Sequence, residues 1–179
     1  MLHTVVSYLR LGLPLIYMIG TWRFADWRNW RKYYPTILFI ISVNFFISVL
    51  MYEYPLWTFR GSFIIPNHTI ADFTLTFITF PCLTLLYLSL YPYHSRWSKQ
   101  VFYIGVWFIV EVITEYLFRC AKLISYSHGW NFGWSCVVWI FLFIGLRLHQ
   151  TRPLWAWGLC FVCSVFLILY FHIPVTKFR

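Results

Sequence analysis

Acidic residues are scarce. Five Asp plus Glu face 14 Lys plus Arg in 179 residues, a formal charge of +9. Charged residues of both signs make up only 11% of the chain, where a soluble domain carries about 25%. So little charge excludes a water-soluble fold, which would lack the polar surface to cover itself. Disorder is excluded too, because 61% of the residues are hydrophobic and disordered chains are poor in them. Gly and Pro, eight of each, gather into no linker or low-complexity tract, and no internal repeat is present. The cysteines, Cys82, Cys120, Cys136, Cys160 and Cys163, are odd in number, which argues against a disulfide framework. Cys160 and Cys163 form a CxxC inside an apolar helix, where they read as small packing residues. Basic residues are dispersed between apolar runs, so the positive charge does not mark a nucleic-acid face.

What the chain has in excess is apolar and aromatic: 11 Trp, 13 Tyr and 19 Phe make 24% of it. A bilayer core about 30 Å thick needs roughly 20 mostly apolar residues per helix. Five stretches meet this, at 36–54, 69–91, 101–118, 132–146 and 154–173, with the fourth short. A sixth, 2–22, carries Arg10, Gly12 and Pro14, which suits a kinked or incomplete span. It imitates a signal peptide, but Thr21-Trp22-Arg23 offers no small-residue cleavage site, so it reads as a retained helix. The expected fold is all-α: a polytopic transmembrane bundle of five to six helices in one compact domain, 1–179. Loops 55–68 and 119–131 leave no room for a second domain.

Basic residues near span ends set orientation. Arg23, Arg28, Arg31, Lys32, Arg96, Lys99, Arg147 and Arg152 fall on one side, against Arg60, Arg119, Lys122, Lys177 and Arg179 on the other. This bias places 22–35 in the cytoplasm. Both termini then face outside with six spans, and the N-terminus stays inside with five. Segment 22–35 alternates aromatic and basic residues and reads as a short interfacial helix. Trp27, Trp30, Tyr33 and Tyr34 would be its membrane-interface anchors. Each nearby cation adds about 1 kcal/mol of attraction to an anionic leaflet. The lipid bilayer is the expected partner, with anionic lipid contact through 22–35.

Ionisable groups inside spans demand partners. Glu111, Glu115 and Arg119 are spaced by four and share one helix face. With entry at Val101, Glu111 lies roughly 15 Å deep at about 1.5 Å per residue. Arg10 reaches a similar depth, so an Arg10 pair with Glu111 or Glu115 is expected, either as a packing contact or as part of a proton or cation relay. Near the outer ends, His68, Asp72, Glu115 and His128 could converge as a metal or proton-handling site. They could equally serve as caps and interfacial hydrogen bonds, with Asn67 or Thr69 capping the third span and Asp72 at its positive end. Asn44, in mid-span, should hydrogen-bond across helices, and Pro81 should kink its helix. No resident metal, haem or other cofactor is expected.

Several motifs run along the chain: Asp26-Trp27-Arg28-Asn29-Trp30 with Lys32-Tyr33-Tyr34-Pro35-Thr36, Tyr54-Pro55-Leu56-Trp57, Pro66-Asn67-His68-Thr69, His128-Gly129-Trp130-Asn131 and Leu146-Arg147-Leu148-His149. Together they resemble a family of small, uncharacterised integral membrane proteins of endospore-forming Gram-positive bacteria. The resemblance implies a bacterial cytoplasmic membrane, and permits a spore membrane. It carries no catalytic residue and no cofactor. In a bacterial membrane the formal glycosylation acceptor at Asn67 is irrelevant.

Three classes of function fit these residues. The first is a non-enzymatic scaffold, sensor or small-solute permease. The second is an intramembrane metal-dependent hydrolase of the CAAX-protease kind. Its spaced motifs are only partly matched, since Thr114 precedes Glu115 and the histidine motif comes before the glutamate helix. The third is a lipid- or partner-binding subunit using the 22–34 segment.

Overall fold

The computed structural model describes residues 2–61 and 67–174, with side chains from residue 11 onward. Helix α1 (Leu2–Phe24) leads through a 3-10 segment, Trp27–Lys32, into α2 (Tyr34–Leu50). Strand β1 (Trp57–Phe59) precedes α3 (His68–Ser89), and α4 (Trp97–Cys120) precedes strand β2 (Ile124–Tyr126). Helices α5 (Phe132–Thr151) and α6 (Pro153–Tyr170) follow. Among the described residues the regular structure is helical apart from these two short strands.

Helices α3, α4, α5 and α6 are long and apolar enough to cross a membrane, and α2 is a shorter apolar helix. They fit a membrane protein in contact with lipid. The expected second span, 36–54, gives the 17-residue α2 because the chain turns at Met51, ahead of Pro55. The short expected span, 132–146, grows instead. It runs to Thr151, since Arg147, His149 and Gln150 find partners at the helix end and do not stop it.

α3 packs between α1 and α2, and α5 touches α2, α3, α4 and α6. These two helices are the inner ones: a third of the most apolar stretch of α3 is buried (33%) and 28% of that of α5, against 6% for α4 and α6. Outward-facing apolar side chains such as Leu154, Phe102 and Phe161 make a surface that water would not tolerate but lipid would. The larger core cluster centres on Tyr87, Phe143, Leu83, Leu88 and Leu146. A smaller one, with Leu56, Trp130, Phe171 and Ile173, lies under the strands.

Pro81 is accommodated by a change in the helix turn that precedes it. Its ring would collide with the carbonyl four residues back, and the turn just ahead of it, Leu75–Thr79, is widened to a π-helix with the Phe80 N–H reaching Leu75 O. Asn67 caps α3 by accepting from the Ile70 N–H at 2.9 Å, and Asn131 caps α5 by accepting from the Gly133 and Trp134 N–H groups.

The strands pair antiparallel, Trp57 opposite Tyr126 and Phe59 opposite Ile124, forming a ribbon over the bundle end. α4 delivers the chain into this ribbon through a left-handed C-terminal turn. Lys122 has φ 55°, its N–H bonds Arg119 O at 2.9 Å, and the Leu123 N–H bonds Phe118 O at 2.8 Å. A side chain in that conformation costs roughly 1–2 kcal/mol, partly offset by glycine's greater chain entropy. Lys122→Gly is therefore expected to stabilise the fold, by up to about 1 kcal/mol in equilibrium unfolding in mixed micelles.

The 22–35 segment is divided differently from the expectation. α1 extends to Phe24 before the 3-10 turn begins. Trp27, Trp30 and Tyr34 are exposed, with Trp30 and Tyr34 in edge contact at 5.2 Å. Tyr33 is not. It is 3% exposed and packs into the larger core cluster, because the chain turns inward there to start α2.

Candidate functional site

Two ends of the bundle are chemically distinct. One, the basic end, gathers the 3-10 segment, the 90–96 turn, the C-terminal turn of α5 and the start of α6. The other, the ribbon end, carries the strands.

On α4, Glu111 and Glu115 lie one turn apart on one face, as their spacing predicts. Glu111 is 3% exposed and accepts a hydrogen bond from the Tyr17 hydroxyl of α1. Glu115 accepts two: from the Tyr126 hydroxyl of β2 at 2.5 Å and from the Trp139 indole N–H of α5 at 2.6 Å. Each carboxylate is thus bound by neutral donors from other elements. Burial, and then the bond to Glu115, raises the Tyr126 hydroxyl above its ordinary range, which keeps its proton in place. Arg119 leaves this row. Its guanidinium lies over the Tyr126 ring at 5.4 Å, where the aromatic face attracts it. The expected Arg10 pairing rests on a side chain outside the described residues.

A second polar cluster joins α2 to α3. The Asn44 amide donates to Thr76 Oγ1 at 2.6 Å and to Asp72 Oδ1 at 3.4 Å. Ser48 Oγ donates to Asp72 Oδ2 at 2.5 Å. Asn44 therefore bonds across helices as expected. Asp72 differs from its expected place at the positive helix end: it turns sideways to α2, where donors are fixed in place.

At the ribbon end, His68 Nδ1 accepts from the Phe59 N–H at 3.3 Å, and its ring lies against that of Phe59. His128 Nδ1 donates to Pro55 O at 2.9 Å while its ring stacks on Tyr54 at 3.7 Å. The two histidines thus present opposite protonation at Nδ1 and fasten different strand flanks. The expected gathering of His68, Asp72, Glu115 and His128 dissolves into four separate contacts. Among the described residues, no group of three or more His, Cys, Asp or Glu side chains could hold a metal ion.

The residues that sequence reasoning missed are the donors: Tyr17, Tyr126, Trp139, Ser48 and Thr76. The available signal was chemical. A Tyr or Trp within or beside an apolar run brings an O–H or N–H that needs an acceptor, and few acceptors besides the carboxylates exist there. A third missed network orders the basic end. Thr36 Oγ1 donates to Gln150 Oε1 at 2.9 Å, which leaves it to accept from His149 Nδ1–H, also at 2.9 Å. The Gln150 amide then donates to Lys32 O at 3.1 Å, tying the 3-10 segment to α5.

These features define a helical bundle suited to a membrane and held internally by polar contacts. No protein-family model, curated protein or solved structure matches this chain.

Proposed function

We propose that this chain is a non-enzymatic scaffold of a bacterial membrane, with five or six spans and its basic end toward the cytoplasm. The family resemblance carried by the 26–36, 54–57, 66–69, 128–131 and 146–149 motifs belongs to the same proposal. So does the cytoplasmic or spore membrane it implies.

One observation carries the reading. The three carboxylates within the bundle, Asp72, Glu111 and Glu115, are engaged by neutral hydroxyl, amide and indole donors from other elements. A relay or hydrolytic centre needs at least one carboxylate open to an exchangeable water or substrate. Side chains engaged in this way serve docking between helices. The cation excess at one end supports the orientation, by the tendency of basic loops to remain cytoplasmic.

A flux measurement tests this. Vesicles containing the protein and a trapped pH-sensitive dye are expected to dissipate a proton gradient no faster than protein-free vesicles, and Glu111→Gln should change nothing. A proton flux that the wild type supports and Glu111→Gln abolishes would replace the scaffold with a permease.

A further inference from the structure

Arg147 and Lys32, from α5 and the 3-10 segment, meet around one aromatic ring. The Arg147 guanidinium lies 4.7 Å from the centre of Tyr93 and 4.8 Å from that of Tyr91. The Lys32 ammonium lies 5.8 Å from Tyr93 and 5.5 Å from Tyr33. Two like charges gathered at one ring repel each other, and a bound anion would offset that repulsion. No carboxylate is hydrogen-bonded or ion-paired to either cation among the described residues. The only acidic residue of the basic end is Asp26, whose two oxygens accept from the Asn29 amide at 3.0 and 3.1 Å. Arg147 spends one terminal nitrogen on Thr151 Oγ1 at 3.2 Å.

Two donors at this spot are buried without a hydrogen-bond partner, Arg147 Nε and the Tyr93 hydroxyl. Such groups cost about 1–3 kcal/mol when left unbonded. Burial pushes the Tyr93 hydroxyl up to about 12, with the Arg147 charge pulling the other way, so it is a donor at neutral pH. Lys32 also lines an open groove of about 590 Å³, shared with Arg28, Asn29, Trp30, Arg31 and one acidic residue, Asp26. Lys32 links this groove, in which three cations outnumber one carboxylate, to the Tyr93 ring. Trp30, one of the groove's lining residues, and Trp27 are both exposed, as rings that settle among lipid headgroups are.

We propose that Arg147, Lys32 and Tyr93 form a site for the phosphate of an anionic phospholipid headgroup in the adjoining leaflet. The phosphodiester would take charge-assisted hydrogen bonds from Arg147 and Lys32 and a neutral one from Tyr93. The inference rests on the membrane reading above, and it adds a ligand class and residues that the basic sequence count did not single out.

Native mass spectrometry of the detergent-purified protein tests it, using phosphatidylglycerol and phosphatidylcholine with identical acyl chains. One phosphatidylglycerol is expected to be retained in preference to phosphatidylcholine. Arg147→Gln should weaken that binding about tenfold and Tyr93→Phe about threefold, by the usual worth of charged and neutral hydrogen bonds. Arg147→Lys should recover part of the loss, and Arg96→Gln, elsewhere on the basic end, should leave binding unchanged. Tyr93→Phe keeps the ring, so it remains informative if Arg147→Gln fails to fold. Equal retention of both lipids, or equal losses from Arg96→Gln and Arg147→Gln, would overturn the site. Displacement by glycerol 3-phosphate at the concentration at which the lipid itself competes would overturn the lipid as its source. Alkaline carbonate extraction separates the two levels: release of the chain from membranes would defeat the membrane reading itself.

Discussion

Tyr17→Phe is expected to destabilise the bundle by about 1–3 kcal/mol, the cost of leaving a buried polar group without its hydrogen bond. The substitution removes one oxygen and preserves the ring, which belongs to the larger core cluster. Its cost therefore reports the hydroxyl and not the packing. Glu111, 3% exposed, has Tyr17 as its hydrogen-bond donor among the described residues. It cannot turn to solvent in compensation.

A double-mutant cycle makes this specific. Glu111→Leu alone leaves the Tyr17 hydroxyl buried and should also destabilise. Tyr17→Phe combined with Glu111→Leu removes both polar partners, and paired apolar replacements are close to neutral. The double variant should be more stable than the sum of the two single losses predicts, by roughly 0.5–3 kcal/mol of coupling. Equilibrium unfolding in mixed micelles provides the measurement. Strict additivity would mean that the two side chains do not act on each other.

This pair also shows where sequence reasoning stops. That Glu111 needs a partner from the first helix follows from depth and spacing. The face of α1 follows as well: Arg10 and Tyr17 are seven residues apart, two helical turns along one stripe. Which side chain on that stripe meets Glu111 depends on how far α1 slides along α3, and no local pattern sets that. The Asn67 cap was legible because capping is decided within four residues. The Asp72 contacts were not, since they depend on how α2 leans across the π-turn before Pro81. The ribbon was hidden for a different reason. Strands of three residues, Trp57–Phe59 and Ile124–Tyr126, are too short to display an alternating pattern. Without the ribbon, His68 and His128 look free to converge on Glu115. Once the strands pair, each is fastened to its own flank. Arg147 lies just past the expected 132–146 span, yet α5 continues beneath it and the 90–96 turn folds its tyrosines over it.

Removing both donors to Glu115 should have the other large effect, and the two halves should differ in kind. Trp139 belongs to α5 and Tyr126 to the ribbon, so Glu115 is the point where α4, α5 and β2 are tied together. Trp139→Phe loosens the contact between two long helices. It should lower global stability by about 1–3 kcal/mol, the range for a hydrogen bond lost from a carboxylate. Tyr126→Phe releases the ribbon from α4 while the strand pairing and the Thr58–Ser125 hydroxyl contact at 2.8 Å remain. Its effect should be local: faster proteolysis and amide exchange across 52–61 and 121–131, with little change in the unfolding of α3 and α5. The combined variant strips Glu115 of both bonds and should lose more than the sum of the two, because either donor alone still satisfies the carboxylate in part. If Tyr126→Phe instead lowered the protection of the whole bundle as much as Trp139→Phe does, the ribbon would be an integral part of the core and not a cover fastened to it at Glu115.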